Sequence, residues 1–306
     1  MSDLARQTER GQRHRTIAVP TDAGAAAPAA IAPSDDQLYQ AAHVLKLTYP
    51  FLKGRLRANQ RRTAIATSLL ARRGVDIAAC DVLEVGCHIG FGVFAVGTTG
   101  RRVGLEHFGE NVEKARSLAS LFGDARAEFH QGTAAALPFE DESFDFVQTH
   151  HVIEHMEPGI WQSYLDEMAR VLRPGGLCLL SFPHWHYPVE GHYHLPFLHW
   201  LPRRMRPRLA RWSPQYRRVH EAEKTYLRTA DRQEDVSFTE FPKIKRVRTL
   251  ARRALFEVED VTREFLRDDR MKALLGAMKQ RIAIALARTW ICPERKFLLH
   301  KRDQQT

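Results

Sequence analysis

Residues 82–92 read VLEVGCHIGFG: a short apolar run broken only by Glu84 leads straight into a turn bearing Gly86, Gly90 and Gly92. The stretch DVLEVG (81–86) predicts a strand buried on both faces, since no polar alternation interrupts it. Glycines at its end let a ligand approach the backbone closely and let the turn take positive φ, and a helix starting there offers unpaired N–H groups. An ordinary tight strand-to-helix turn has the same glycines. The decision therefore rests on what surrounds it.

Working outward, RRVGLEH (101–107), AEFHQG (127–132), FDFVQTH (144–150) and LCLLSFP (177–183) predict four more strands. Helical patterns fall between them, notably 111–122 and 161–172, the second ended by RPGG at 173–176. Strands alternating with helices predict an α/β fold with a doubly wound, mostly parallel sheet of seven strands. Farther on, FTEFPKIKRVRTLARRALFEVEDVTREFL (238–266) reads as helix then strand, a long helix is expected over 268–287, and RKFLLHK (295–301) closes the sheet. Residues 1–36 contain TDAGAAAPAAIAPSDD and few large apolar groups, which predicts a disordered tail. Residues 37–73 carry helical spacing interrupted near Pro50 and Gly54, which predicts two helices. The expected organisation is thus tail 1–36, helices 37–73, core 74–183, insertion 184–236 and completion of the core over 237–306. No internal repeat is visible.

The 306 residues carry a net charge of +10, and the excess is local: residues 201–306 hold 27 basic and 14 acidic side chains. Four widely spaced cysteines (Cys80, Cys87, Cys178, Cys292) form no C-x-x-C pair, which argues against a disulfide framework or a cysteine zinc site and fits a reducing cytoplasm. No apolar run reaches the roughly 18 residues of a membrane span, and the N-terminus lacks the apolar segment of a signal peptide.

Glu106 closes the second predicted strand about twenty residues after the glycine turn, where a carboxylate can accept both ribose hydroxyls of a nucleoside. A dinucleotide such as NAD is compatible with that position, but the turn is E-x-G-C-x-x-G rather than G-x-G-x-x-G. Taken in order, VLEVGCHIG, VGLEH, QGTAAALPFEDESFDFVQTHHVIEHM and VLRPGGLCLLSFP resemble the class I S-adenosylmethionine-dependent methyltransferases, most of all the type 11 branch. The resemblance runs from 82 to 183 and resumes more loosely over 238–301. It implies that Glu84, Gly86, Cys87 and Gly90 form the turn beneath the methionine part of S-adenosylmethionine. It further implies that Glu106 holds the ribose, His107 lies against the adenine, Thr133 and Ala134 meet the adenine edge, and His150 borders cofactor and acceptor. Two positions depart from the family pattern: His88 stands where glycine is commonest, and Thr133 where an Asp usually accepts the adenine amino group.

HVIEH (151–155) matches the inverted zinc-protease signature H-x-x-E-H. The resemblance accounts for the same residues as the start of a helix after the fourth strand, so no metal is expected there. The insertion holds five histidines in sixteen residues: His184, His186, His192, His194 and His199. It follows the fifth strand, at the edge where doubly wound sheets bind ligands. A hydroxyl acceptor must lose a proton during methyl transfer, and an imidazole titrating near neutrality can take it. His184 and His192 are the catalytic candidates.

The segment LPFLHWLPRRMRPRLARW (195–212) mixes Leu, Phe and Trp with clustered Arg. With the arginines on to Arg218 it could lie on an anionic membrane surface, hold an acidic substrate, or simply be a solvated face. The leading expectation is methyl transfer to oxygen of a small-molecule or glycan-type acceptor, in the cytoplasm, with the segment from Arg203 to Arg218 able to bring the chain to the inner face of the membrane. Two alternatives stand beside it. One is a nucleic-acid methyltransferase, favoured by the basic C-terminal third but opposed by the lack of an N/D-P-P-Y-type motif after the fourth strand, where this chain has THHV. The other is a non-catalytic binding module.

Overall fold

The computed structural model describes residues 30–190, 193–214, 240–268 and 294–302. Seven strands form one sheet in the order β3-β2-β1-β4-β5-β9-β8. They are β1 (Val82–Val85), β2 (Arg102–Glu106), β3 (Ala127–Gln131), β4 (Phe144–His150), β5 (Leu172–Pro183), β8 (Phe256–Asp260) and β9 (Glu294–Lys301). The first five pair in parallel, whereas β9 runs antiparallel between β5 and β8. A small hairpin, β6 (Val189–Glu190) with β7 (Leu195–Pro196), stands apart in the insertion. Strand order reverses at β1, with β2 on one side and β4 on the other. The crevice past the carboxyl ends of β1 and β4 is therefore the topological switch point, the place where doubly wound sheets receive ligands.

Every residue of β1 and β2 is buried, as a parallel strand covered on both faces must be. One face packs on α5 (Trp161–Val171) and the helix Ile244–Arg253, through Leu165, Met168, Val247 and Leu250. The other face is covered by α2 (Tyr49–Ala71), through Ile65, Leu69 and Leu70, and by Phe265 of the helix Thr262–Asp268. A third cluster joins α1 (Asp35–Val44), α2, α3 (Phe91–Ala95) and α4 (Gly109–Phe122) around Phe94 and Phe129. The end of α2 is pinned across the molecule where Arg73 Nη2 meets Glu264 Oε1 at 3.0 Å, beside its pair with Glu259. Buried Arg102 of β2 pairs with buried Asp124 at 2.6 Å, so removing either would leave an uncompensated interior charge.

Several boundaries differ from the sequence expectation. Ser34 caps α1 in a reciprocal box with Gln37, and Ile31 donates its N–H to Phe94 O at 2.9 Å, so the chain is tied to the core at Ile31 and is helical from Asp35. The break between the first two helices falls at 45–48, with Thr48 capping α2; Pro50 sits in its first turn, where proline costs no hydrogen bond, and Gly54 lies inside the helix. Helix α5 ends at Val171, just before RPGG, but the strand expected from Leu177 starts earlier. Strand β5 already begins at Leu172, opposite Phe144, and the four residues make a bulge before Leu177 rejoins opposite Phe146. HVIEHM does not open a helix: Ile153–His155 is a single 3₁₀ turn, and the next helix starts at Trp161. The tail expected over residues 1–29, His192, Cys292, the arginines at 217 and 218, and the helix expected over 269–287 lie outside the described residues.

Candidate functional site

The turn after β1 is strapped to the end of β2. Gly86 and Cys87 donate their N–H groups to Leu105 O at 2.8 and 3.0 Å. His88 donates its N–H to Glu106 Oε2 at 2.9 Å, and Phe108 donates to Glu106 Oε1 at 3.1 Å. The Glu106 carboxylate is thus the clasp that fixes the turn. His88 takes φ 53°, the left-handed conformation that the glycine of the family pattern would supply. Its imidazole is pushed down to about 4 by burial, with the nearby charges of Arg55 and Lys114 acting in the same direction, so the ring is neutral at physiological pH.

Glu84 lies beneath this turn, 5% exposed, with its carboxylate against the backbone of Gly92. A Cβ at position 92 would stand 2.1 Å from Glu84 Oε1, so only glycine allows this approach. Burial lifts Glu84 to about 8, opposed by Arg62, the Val93 N–H and Arg55. Its Oε2 is buried without a hydrogen-bond partner. A buried acid half-supplied with donors can ionise when a cation such as an ammonium or sulfonium comes near it.

Along the same edge, His107 is exposed and meets Phe108 edge-on. Thr133 is exposed, with its hydroxyl oxygen accepting from Ala135 N at 3.4 Å, and Ala134 packs half-buried against the core. His150 ends β4 with Nδ1 hydrogen-bonded to Ser181 Oγ, and burial holds its ring well below the usual imidazole range. Every cofactor-side residue expected from the sequence therefore lies at the carboxyl ends of β1 to β4.

The histidines behave differently. His184, just past β5, is fully enclosed, its ring 6.0 Å from that of His186. His199 is also buried and bonds to Trp185 O at 3.0 Å. Arg206, inside the segment expected to face a membrane, instead turns inward: it donates to the carbonyls of Leu201 and His199 and pairs with Glu240 at 3.1 Å. Arg204, Arg208, Arg211, Met205 and Trp212 are exposed.

The H-x-x-E-H residues form an ion-pair bracket. His151, at φ 56°, holds Glu154 Oε1 at 3.2 Å through Nδ1 and Glu294 Oε1 at 3.1 Å through Nε2. Among the described residues, no group of three or more His, Cys, Asp and Glu is arranged to hold a metal ion. The two carboxylates overcome desolvation and raise His151 to about 9. Because this folded value exceeds the ordinary imidazole value of about 6.5, the bracket stabilises the fold fully below about 6.5 and loses that contribution as pH rises through about 9. Thermal melts from pH 6 to 10 should therefore show wild type losing stability relative to His151→Gln between about pH 6.5 and 9, with no further relative loss above that. The loss should be small, since the His151 side chain is 44% exposed and solvent screens the pairs. Parallel curves for the two proteins would contradict the assignment.

Sequence reasoning passes over one part of the site, the face of α2 that bears Arg55, Asn59 and Arg62. The electrostatic reach of Arg62 to Glu84 and His150, and of Arg55 to Glu84 and His88, brings this face to the crevice. The only signal in the sequence is the spacing of these residues.

Residues 83–180 match the family model described as "Methyltransferase domain". An uncharacterized methyltransferase of Mycobacterium marinum is 34% identical over 130 residues, covering 42% of this chain and 49% of its own. A probable S-adenosylmethionine-dependent methyltransferase of Mycolicibacterium smegmatis is 36% identical over 126 residues, covering 40% and 44%. The chain thus spans about half the length of these relatives. Among solved structures, the YcgJ protein of Bacillus subtilis aligns with TM-score 0.46 and 20% identity, over 78% of this chain and 98% of its own. The match over 83–180 covers the strapped turn, the Glu106 clasp and His150, so over these residues the chain is similar to a methyltransferase domain.

Proposed function

We propose that the chain transfers a methyl group from S-adenosylmethionine to an oxygen of a small-molecule or glycan-type acceptor. The observation that supports this best is the meeting, at one sheet edge, of the Glu106-clasped turn with His150 and the insertion that follows β5. The residues fit the cofactor: the orphaned Glu84 Oε2 beneath the turn suits a cationic methionine end, and Glu106 suits ribose hydroxyls. When bound, S-adenosylmethionine supplies an electrophilic methyl on sulfonium sulfur.

In this reading Glu84, Gly86, Cys87 and Gly90 cradle the methionine end, while His107, Thr133 and Ala134 border the adenine. The Thr133 hydroxyl accepts where a carboxylate is usual, which gives a neutral and weaker bond. The protein's remaining tasks are to orient the acceptor oxygen, exclude water and take its proton. His184 and His192 are the proposed proton acceptors. His151 is unsuited to that role, because its carboxylate bracket keeps it protonated at neutral pH. His150, held neutral, borders the acceptor. Among the described residues no helix is long and apolar enough to cross a membrane. Contact with an anionic membrane surface is proposed for the segment Arg203 to Arg218, through exposed Arg204, Arg208, Arg211 and Trp212.

Calorimetry with S-adenosylhomocysteine, followed by label transfer from S-adenosylmethionine to small hydroxyl acceptors, glycans and nucleic acids, tests the reading. Saturable cofactor binding and label on a small or glycan oxygen are expected. His184→Ala should lower turnover by roughly 100-fold or more with cofactor affinity unchanged. His184→Gln, which preserves more volume at this enclosed position, separates loss of a base from loss of packing. Absence of cofactor binding, or label on nucleic acid, would defeat the proposal.

A further inference from the structure

Helix α2 carries the sequence KGRLRANQRR over residues 53–62, which puts Arg55, Asn59 and Arg62 at positions i, i+4 and i+7, along one stripe of the helix. Asn59 is buried, although asparagine has little reason to be so without a positioning role. Its Nδ2 donates to Arg55 O at 2.9 Å, and Arg62 Nη1 donates to its Oδ1 at 3.5 Å, so Asn59 steadies the arginine that follows it.

Arg55 and Arg62 lie within electrostatic reach of each other and of Glu84; Arg55 also reaches His88, and Arg62 reaches His150. Leu52 and Leu56 of the same helix pack with Cys87, Ile89 and Phe91 of the glycine turn, so the stripe lies beside the crevice between that turn and the end of β4. Among the described residues neither arginine has an ion pair, whereas Arg73, Arg170 and Arg173 each engage two carboxylates. The carboxyl that both arginines do reach, Glu84, is largely protonated at neutral pH. Partial desolvation and the Arg62 charge both pull Arg55 below its usual value, yet Arg55 stays exposed and Arg62 half-buried, so a ligand can reach both. Two neighbouring guanidinium forks without a counter-ion are matched by a group presenting two or three anionic oxygens.

We propose that Arg55 and Arg62, with Asn59 steadying Arg62, form an anion site at the mouth of the crevice that fixes a carboxylate or phosphate of a bound molecule. The acid group belongs either to the methyl acceptor or to the methionine end of the cofactor. The inference deepens the methyltransferase reading and rests on it for these two sources.

The test titrates wild type, Arg55→Gln, Arg62→Gln and Arg62→Lys with S-adenosylhomocysteine and with 5′-methylthioadenosine, which lacks the amino-acid carboxylate. Inorganic pyrophosphate is then titrated into the free and the S-adenosylhomocysteine-saturated proteins. If the cofactor carboxylate occupies the site, each Gln variant loses roughly 10- to 100-fold in S-adenosylhomocysteine affinity and nothing with 5′-methylthioadenosine. If an acceptor acid occupies it, cofactor affinity is unchanged and the saturated wild type binds pyrophosphate while the Gln variants do not. Arg62→Lys should recover only part of either loss, since an ammonium lacks the fork. Gln variants indistinguishable from wild type with all three ligands would overturn the site. Failure of wild type to bind either nucleoside would instead defeat the methyltransferase reading, and pyrophosphate binding to the free protein would still decide the anion site.

Discussion

Glu106→Ala is expected to weaken S-adenosylhomocysteine binding by roughly 100-fold or more while leaving the protein folded. The carboxylate has two tasks. In the structure its oxygens accept the N–H groups of His88 and Phe108, at 2.9 and 3.1 Å, which fixes the turn to the end of β2. In the proposed complex the same oxygens accept the ribose hydroxyls, using lone pairs that the backbone leaves open. A hydrogen bond to a charged group contributes about 1.5–3 kcal/mol, and alanine removes the acceptor for the turn and the ribose together. Glu106→Gln is informative beside it. Its single amide oxygen can satisfy one of the two N–H groups, while its NH₂ confronts the other donor, so about a tenfold loss is expected. The two Leu105 carbonyl bonds still hold Gly86 and Cys87, so the fold should survive both changes. Calorimetry on the three proteins, with circular dichroism as a check on folding, reads the result. Wild-type affinity in the alanine variant would remove the central assignment of the site.

How far the sequence reaches depends on the physics of each feature. Strands β1 and β2 are legible because parallel strands buried on both faces must be short continuous apolar runs, and turns with glycine bound them. The cofactor-side residues are legible because each closes a strand at the same edge, so order along the chain becomes adjacency in space. RPGG marks the end of α5 correctly but hides the start of β5, because Pro and Gly that stop a helix can also form a bulge within a strand; only pairing of Leu172 with Phe144 shows it. The burial of His184 and Arg206 is illegible for a related reason. A polar residue in an irregular insertion has no periodicity to reveal its face, yet one is wholly enclosed and the other straps carbonyls of its own loop. The Arg55–Arg62 stripe was hidden by a base rate, since arginines on a helix usually face solvent. What distinguishes these two is the crevice across from them, formed by residues about thirty to ninety positions farther along the chain.

Gly86→Ala should abolish tight cofactor binding, by roughly 100- to 1,000-fold, and it tests how the two halves of the switch point are coupled. Gly86 has φ 74°, and an L-residue held there costs about 1–2 kcal/mol. A Cβ at this position would also stand 2.3 Å from Val152 Cγ2, well inside van der Waals contact. Overpacking of this kind costs about 1–3 kcal/mol, and it cannot be relieved freely. Val152 is partly buried against the core cluster and leads into the 3₁₀ turn Ile153–His155, whose Glu154 is held by His151. The turn itself is tied by the bond from Gly86 N to Leu105 O. Movement must therefore lift the cofactor turn or displace the segment after β4, and both border the crevice. The double variant Gly86→Ala/Val152→Ala separates the causes: it removes the collision and keeps the backbone strain, so it should recover roughly tenfold of the loss and no more. Full recovery would show that φ at this position carries no penalty. Wild-type affinity in Gly86→Ala alone would mean that the turn does not need the conformation seen here, and the cofactor would have to be sought elsewhere on the sheet edge.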